Sequence, residues 1–227
     1  MEANVTAEGL LRRASLDEIP SRAPATLEDY GSFARGLVAL AAATGEVAYA
    51  AEARRLVDLC VSDGVLAVPG GGDPVLAAQG VTAGEDADTD RPSGPASVAG
   101  AALALWSLGA GEPYRAVAER VVAARAEAAL HAPLSHGAVL RLAAALAAPP
   151  RQIVVVSDGT DGTLADGART RAADVVATVT SGQAAAFADA GFSLFEGKTA
   201  LDGVPTAYDC RGFACRLPVS DPRLLEP

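Results

Sequence analysis

A chain of 227 residues, half of them hydrophobic, is long enough for one large or two small domains around a buried core. Its formal net charge of −10 excludes a nucleic-acid face, which needs clustered cations to meet phosphate, and disfavours anionic membrane surfaces. Aromatics make up only 4% of it, so the core must be built from Ala, Val and Leu, most of which bury little area each.

Met1 to Arg13 carries charge early and has no long apolar run, so no secretory leader is expected. The stretch between Arg91 and Glu112 is uncharged. Its apolar centre, Val98 to Leu108, is too short to span about 30 Å of hydrocarbon, and a buried helix is expected there, with no membrane partner. The cysteines are Cys60, Cys210 and Cys215, an odd and low count that suits a reducing compartment; the cytoplasm is the expected location.

In chain order, residues 1–25 read as an irregular lead-in. Thr26 followed by Asp29 resembles a capping box, and the first helix is predicted over Leu27 to Thr44, with Phe33, Leu37, Leu40 and Ala41 at helical spacing and Gly45 ending it. A second helix is predicted over Glu46 to Ser62, with Ala53, Leu56, Val57 and Cys60 on one face, making an antiparallel hairpin with the first. Residues 63–95 break the pattern with Val68-Pro69-Gly70-Gly71-Gly72-Asp73-Pro74 and an acidic run, Glu85 to Asp90; they read as a long loop carrying a short hairpin. Helices over Pro95–Leu108 and Pro113–Leu130 form a second hairpin. It repeats features of the first at a period of about 65 residues, the mark of stacked helical hairpins. A fifth helix spans Ser135 to Ala147 and stops at Pro149-Pro150. Beyond it, Ile153–Ser157, Val175–Thr180 and Thr206–Cys210 read as strands. Helices over Thr163–Ala173 and from Ser181 to Gly191 alternate with them, and strand–helix–strand order implies parallel pairing.

Several motifs then converge on a family. Thr26-Leu27-Glu28-Asp29-Tyr30, the Ala-Thr-Gly-Glu turn, Arg91-Pro92-Ser93-Gly94 with Ser97, and above all the ending Asp202-Gly203…Pro205-Thr206-Ala207-Tyr208-Asp209-Cys210-Arg211-Gly212-Phe213-Ala214-Cys215…Pro218-Val219-Ser220-Asp221-Pro222 carry it. Over residues 26 to 223 the chain resembles the C-terminal half of the thioredoxin-domain proteins related to spermatogenesis-associated protein 20. The resemblance implies a six-hairpin α/α toroid like that of N-acylglucosamine 2-epimerases, with a C-terminal α/β appendage. The expected fold class is therefore mainly α: a partial α/α toroid over 26–150, followed by a small α/β unit over 151–227.

The thioredoxin-like domain and the opening hairpins of that family have no counterpart in this chain. A non-catalytic or degenerate member is expected, acting as a binding or scaffold module. Its partner would be a second copy or a polypeptide carrying the missing half, covering helix faces left apolar. The first rival is a carbohydrate-active enzyme, epimerase-like or glycosidase-like, with a small sugar in the helical cavity. There Asp29 and His136 would be the catalytic candidates and Tyr30 and Ser93 the binding ones, since a sugar cleft wants carboxylates, aromatics and hydroxyls. The second rival is a thiol redox protein using Cys210 and Cys215, with Arg211 and Arg216 beside them to favour thiolate; a turn at Arg211-Gly212-Phe213-Ala214 would bring the two sulfurs together. A metal at those thiols would need about two more ligands, so neither metal nor cofactor is expected. Ser157-Asp158-Gly159-Thr160-Asp161-Gly162 has the position of a phosphate loop, but its two aspartates oppose an anion, and it reads as a polar turn.

Overall fold

The computed structural model describes residues 4–17, 19–62, 64–71, 78 and 87–226. Of the 63–95 loop, the end of the Gly-rich run and the start of the acidic run lie outside these residues, while Pro69–Gly71 form a short 3-10 turn. In the lead-in, β1 (Ser15–Leu16) and β2 (Ile19–Pro20) form a small antiparallel ladder.

Helix α1 (Leu27–Thr44) begins where its capping residues dictate: Thr26 Oγ1 accepts the Asp29 N–H at 3.4 Å while the Asp29 carboxylate accepts the Thr26 N–H at 2.8 Å. Gly45, at φ 74°, ends it by donating to the Ala41 carbonyl, a left-handed position that costs glycine little. The buried stripe is Leu27, Tyr30, Gly31, Ala34, Leu37, Val38 and Ala41. Phe33 and Leu40, expected to face inward, are 36% and 41% exposed. The stripe is displaced because the inward face must carry small residues, Gly31 and Ala34, where another helix comes close.

Helix α2 (Val47–Leu59) stops short of the expected Ser62 because β3 (Val61–Ser62) pairs with β4 (Val65–Leu66). Its expected face, Ala53, Leu56, Val57 and Cys60, is buried. Helices α3 (Gly94–Ser107) and α4 (Glu112–His131) make the second hairpin, and α5 (Gly137–Leu146) follows a single 3-10 turn at Pro133–Ser135.

α3 is buried on nearly every side, packed by α1, α2, α4 and α5. A Cβ built on Gly31 would lie 2.3 Å from the Ser97 carbonyl carbon and the Val98 nitrogen, so the α1 and α3 backbones all but touch. Leu27 lies against Gly94, Gly31 against Ser97, and Arg35 against Gly100, so the two helices run parallel. The buried helix expected over Val98 to Leu108 is there, and the chain itself wraps it. Large apolar side chains are exposed elsewhere, at Leu130 and Leu134, which are 79% and 99% exposed.

After Pro149-Pro150 come β5 (Arg151–Val156), α6 (Thr163–Arg169), β6 (Val175–Val179), α7 (Ser181–Asp189), β7 (Thr206–Arg211) and β8 (Ala214–Cys215). The sheet order is β6-β5-β7-β8; β5 pairs parallel with β6, as the intervening helix requires, and antiparallel with β7. Val154 and Val156 turn toward the helices and share one core with Leu37, Leu56, Leu105, Phe187 and Phe192. Ile153 and Val155 point the other way, onto Leu164 and Ala168. The architecture is mixed α/β, with seven α-helices among the described residues and a four-stranded mixed sheet near the C-terminus. No helix is long and apolar enough to cross a membrane among the described residues.

Candidate functional site

The N-termini of α1, α3 and α5 meet at one end of the helical layer, and an aspartate joins two of them. Asp88 Oδ1 accepts the Ser93 N–H at 2.9 Å and Oδ2 accepts the Ala138 N–H at 2.7 Å; the Asp88 N–H donates to the Ser135 carbonyl at 2.7 Å. A carboxylate so placed satisfies donors that begin each helix and meets the positive end of both dipoles. Arg91, just before α3, reaches Glu28 in the first turn of α1 at 2.9 Å. Four of the sequence candidates, Asp29, Tyr30, Ser93 and His136, are thereby brought to the same end of the molecule.

Three of the four are engaged in holding backbone. Asp29 closes the α1 capping box and lies 3.7 Å from Arg13. The Tyr30 hydroxyl accepts the Leu11 N–H at 2.9 Å, tying the lead-in down; burial pushes its phenol pKa up. His136 Nδ1 is 3.1 Å from the Ala132 carbonyl, which can only accept, so Nδ1 is the donor of that bond. Ser93 differs: it is 5% exposed, its side chain does not cap α3, and its Oγ is buried with no hydrogen-bond partner among the described residues. Further along the same helices, Arg35 donates to the Gly100 carbonyl at 3.3 Å; burial and the nearby Arg141 charge lower its pKa.

In the 157–162 turn, the aspartates take the amide donors an anion would need. Asp158 accepts from the Ser181 N–H at 2.7 Å and hydroxyl at 2.6 Å, and Asp161 accepts the Thr163 N–H at 2.9 Å; these bonds hold both carboxyls below their usual range.

At the other end of the sheet, Cys210 and Cys215 face each other across β7 and β8 and form a disulfide, with Cα atoms 3.8 Å apart. The turn between them has Gly212 at φ 54° and Phe213 at φ 69°, the double left-handed conformation of a type I′ hairpin. Cys210 is fully buried and Cys215 is exposed. Arg211 and Arg216 both turn to Glu226, Arg211 at 3.6 Å. Phe213 packs edge-on against Trp106 at 5.8 Å, and its N–H donates to Gln152 Oε1 at 3.3 Å. Cys60 is free and buried, and burial pushes its thiol up to about 12.

Sequence reasoning missed Asp88, Gln152 and the buried pair Arg151–Asp209 at 2.8 Å. Asp88 belongs to an acidic run that composition reads as a solvated loop. Gln152 and Arg151 open a strand that reads as apolar, and nothing local joins Arg151 to a partner 58 residues away. Among the described residues no group of three or more His, Cys, Asp or Glu could hold a metal ion. Comparison of the chain with protein-family models, with curated proteins and with solved structures finds no match.

Proposed function

We propose that the chain is a non-catalytic binding module, a degenerate partial α/α toroid, and that its ligand site is the shared N-terminal end of α1, α3 and α5. The observation that carries this is the Ser93 hydroxyl, buried at that junction without a partner among the described residues, where an unpaired group costs about 1–3 kcal/mol unless a ligand or an ordered water meets it. Parallel α1 and α3, each returned by its own antiparallel partner, is also the packing that stacked toroid hairpins use. The resemblance to sugar-active toroids names the ligand class, a small hydroxylated molecule. Asp29, Tyr30 and His136 support holding rather than turnover, since each already secures a backbone group.

Titration with monosaccharides and sugar phosphates, followed by amide shifts, tests this. Binding that perturbs residues 88–97 and 136–138 and is lost in Ser93→Ala is the expected result. Absence of binding to any of them refutes it. Turnover that disappears in Asp29→Ala or His136→Ala replaces it with the carbohydrate-enzyme reading.

A second reading is favoured by a separate observation. The facing Cys210 and Cys215, one buried and one exposed, support a thiol–disulfide role on the β7–β8 hairpin.

A further inference from the structure

We propose that the Cys210–Cys215 bond is a thiol-exchange site that low-molecular-weight thiols enter at Cys215, and that opening it releases Phe213 from Trp106. This rests on the second reading above and adds to it the point of attack, the reactant class and the structural consequence.

The point of attack follows from exposure. A thiolate must approach one sulfur along the S–S axis, from the side opposite its partner. Cys210 is enclosed in β7 between β5 and β8, so no thiol reaches it that way; Cys215 lies on the exposed edge strand. The incoming thiolate bonds to the Cys215 sulfur, the S–S bond breaks, and Cys210 leaves as a thiolate that takes up a proton. A second thiol then attacks the mixed disulfide and frees Cys215. In total the protein disulfide is reduced to two thiols and two molecules of glutathione are oxidised to glutathione disulfide.

The consequence follows from the turn. Phe213 has φ 69°, a region that a bulky side chain avoids unless its surroundings impose it. Three restraints impose it here: the crosslink one residue pair away, the edge-on contact with Trp106, and the bond to Gln152, whose Nε2 in turn donates to the Ser107 carbonyl at 3.1 Å. Of these only the crosslink is covalent. Once it opens, Phe213 relaxes to negative φ and its ring leaves Trp106. The crosslink closes a short loop, which removes little chain entropy, so the response stays local and the fold survives. Trp106 is the single tryptophan of the chain and is held on its other sides by Glu112, at 2.9 Å from its Nε1, and by the Arg115 guanidinium at 5.2 Å. As no other tryptophan contributes, the emission reports the surroundings of Trp106, of which this contact is part.

The experiment uses the full chain and reduced glutathione. Native thiol titration is expected to gain one thiol per chain, from Cys215, with buried Cys60 and Cys210 silent, and titration in denaturant to gain two, while Trp106 emission shifts to longer wavelength. Alkylation early in the reaction followed by mass mapping is expected to place glutathione on Cys215. In Cys210→Ser, glutathione disulfide should modify Cys215; in Cys215→Ser it should leave Cys210 untouched. If these thiols appear with Trp106 emission unchanged, the release of Phe213 is refuted while the thiol–disulfide reading stands. If no thiols appear, both fall. Glutathione mapped to Cys210 overturns the entry point. The wild-type measurements decide the matter even if either variant fails to fold.

Discussion

Gly31→Ala tests the close approach of the α1 and α3 backbones. The added Cβ would lie 2.3 Å from the Ser97 carbonyl carbon and the Val98 nitrogen, against 3.4 Å or more for ordinary contact, so α1 and α3 must part by about 1 Å. Both clashing partners are backbone in a helix buried on nearly every side, and no side chain can swing away. Overpacking of this kind costs about 1–3 kcal/mol, and rigid partners put this site at the upper end. Alanine returns about 1 kcal/mol of helix propensity, leaving a net loss of about 2 kcal/mol. For a chain of this length that lowers the melting temperature by about 4–8 °C. Gly36 lies in the same helix with nothing within 4 Å of its Cβ position, so Gly36→Ala keeps only the propensity term and should raise the melting temperature by about 2–4 °C. Calorimetry on the two variants and the wild type separates the effects. If Gly31→Ala melts at or above the wild type, the close approach of α1 and α3 is not real.

Asp88→Ala removes the acceptor for the first donors of α3 and α5 together; at about 1 kcal/mol per cap it should cost about 2 kcal/mol in urea unfolding, and Asp88→Asn, which keeps one acceptor oxygen, about half of that. Arg151→Met strands the Asp209 carboxylate in the sheet and should destabilise by about 3–5 kcal/mol, whereas pairing it with Asp209→Leu should recover most of the loss; a double variant no better than the single one would show that the pair is not the reason.

The helices were legible because their ends are written locally. Thr26 with Asp29 marks the start of α1 and Gly45 its end, and the Gly and Pro runs punctuate the rest. The strands were legible for a similar reason: Val154 to Val156 and Val175 to Val179 are β-branched runs between turn residues. The direction of a helix face was less so. Phe33 and Leu40 obey helical spacing yet point outward, because the neighbour selected small residues over large ones, and hydrophobicity alone does not encode how close two axes come. The candidate site was partly legible. Ser93 and His136 begin helices, and their neighbourhood follows from stacking hairpins, but the carboxylate that joins them lies in a segment whose composition suggests only solvation. The turn between Cys210 and Cys215 could be inferred from Gly212, whereas the left-handed Phe213 could not, since a bulky residue there depends on Trp106, which is distant in the chain.

The core shared by Leu37, Leu105, Val154 and Phe187 has a consequence for how the chain can be divided. Pro149-Pro150 looks like a hinge between two portable parts. Cutting there would leave the helical part with an apolar floor and the sheet with an apolar roof, each open to water. A gene fusion that moved either part alone would carry half of a buried surface into its new context, so an insertion or a tag is better tolerated at the exposed Leu134 turn than at the proline pair.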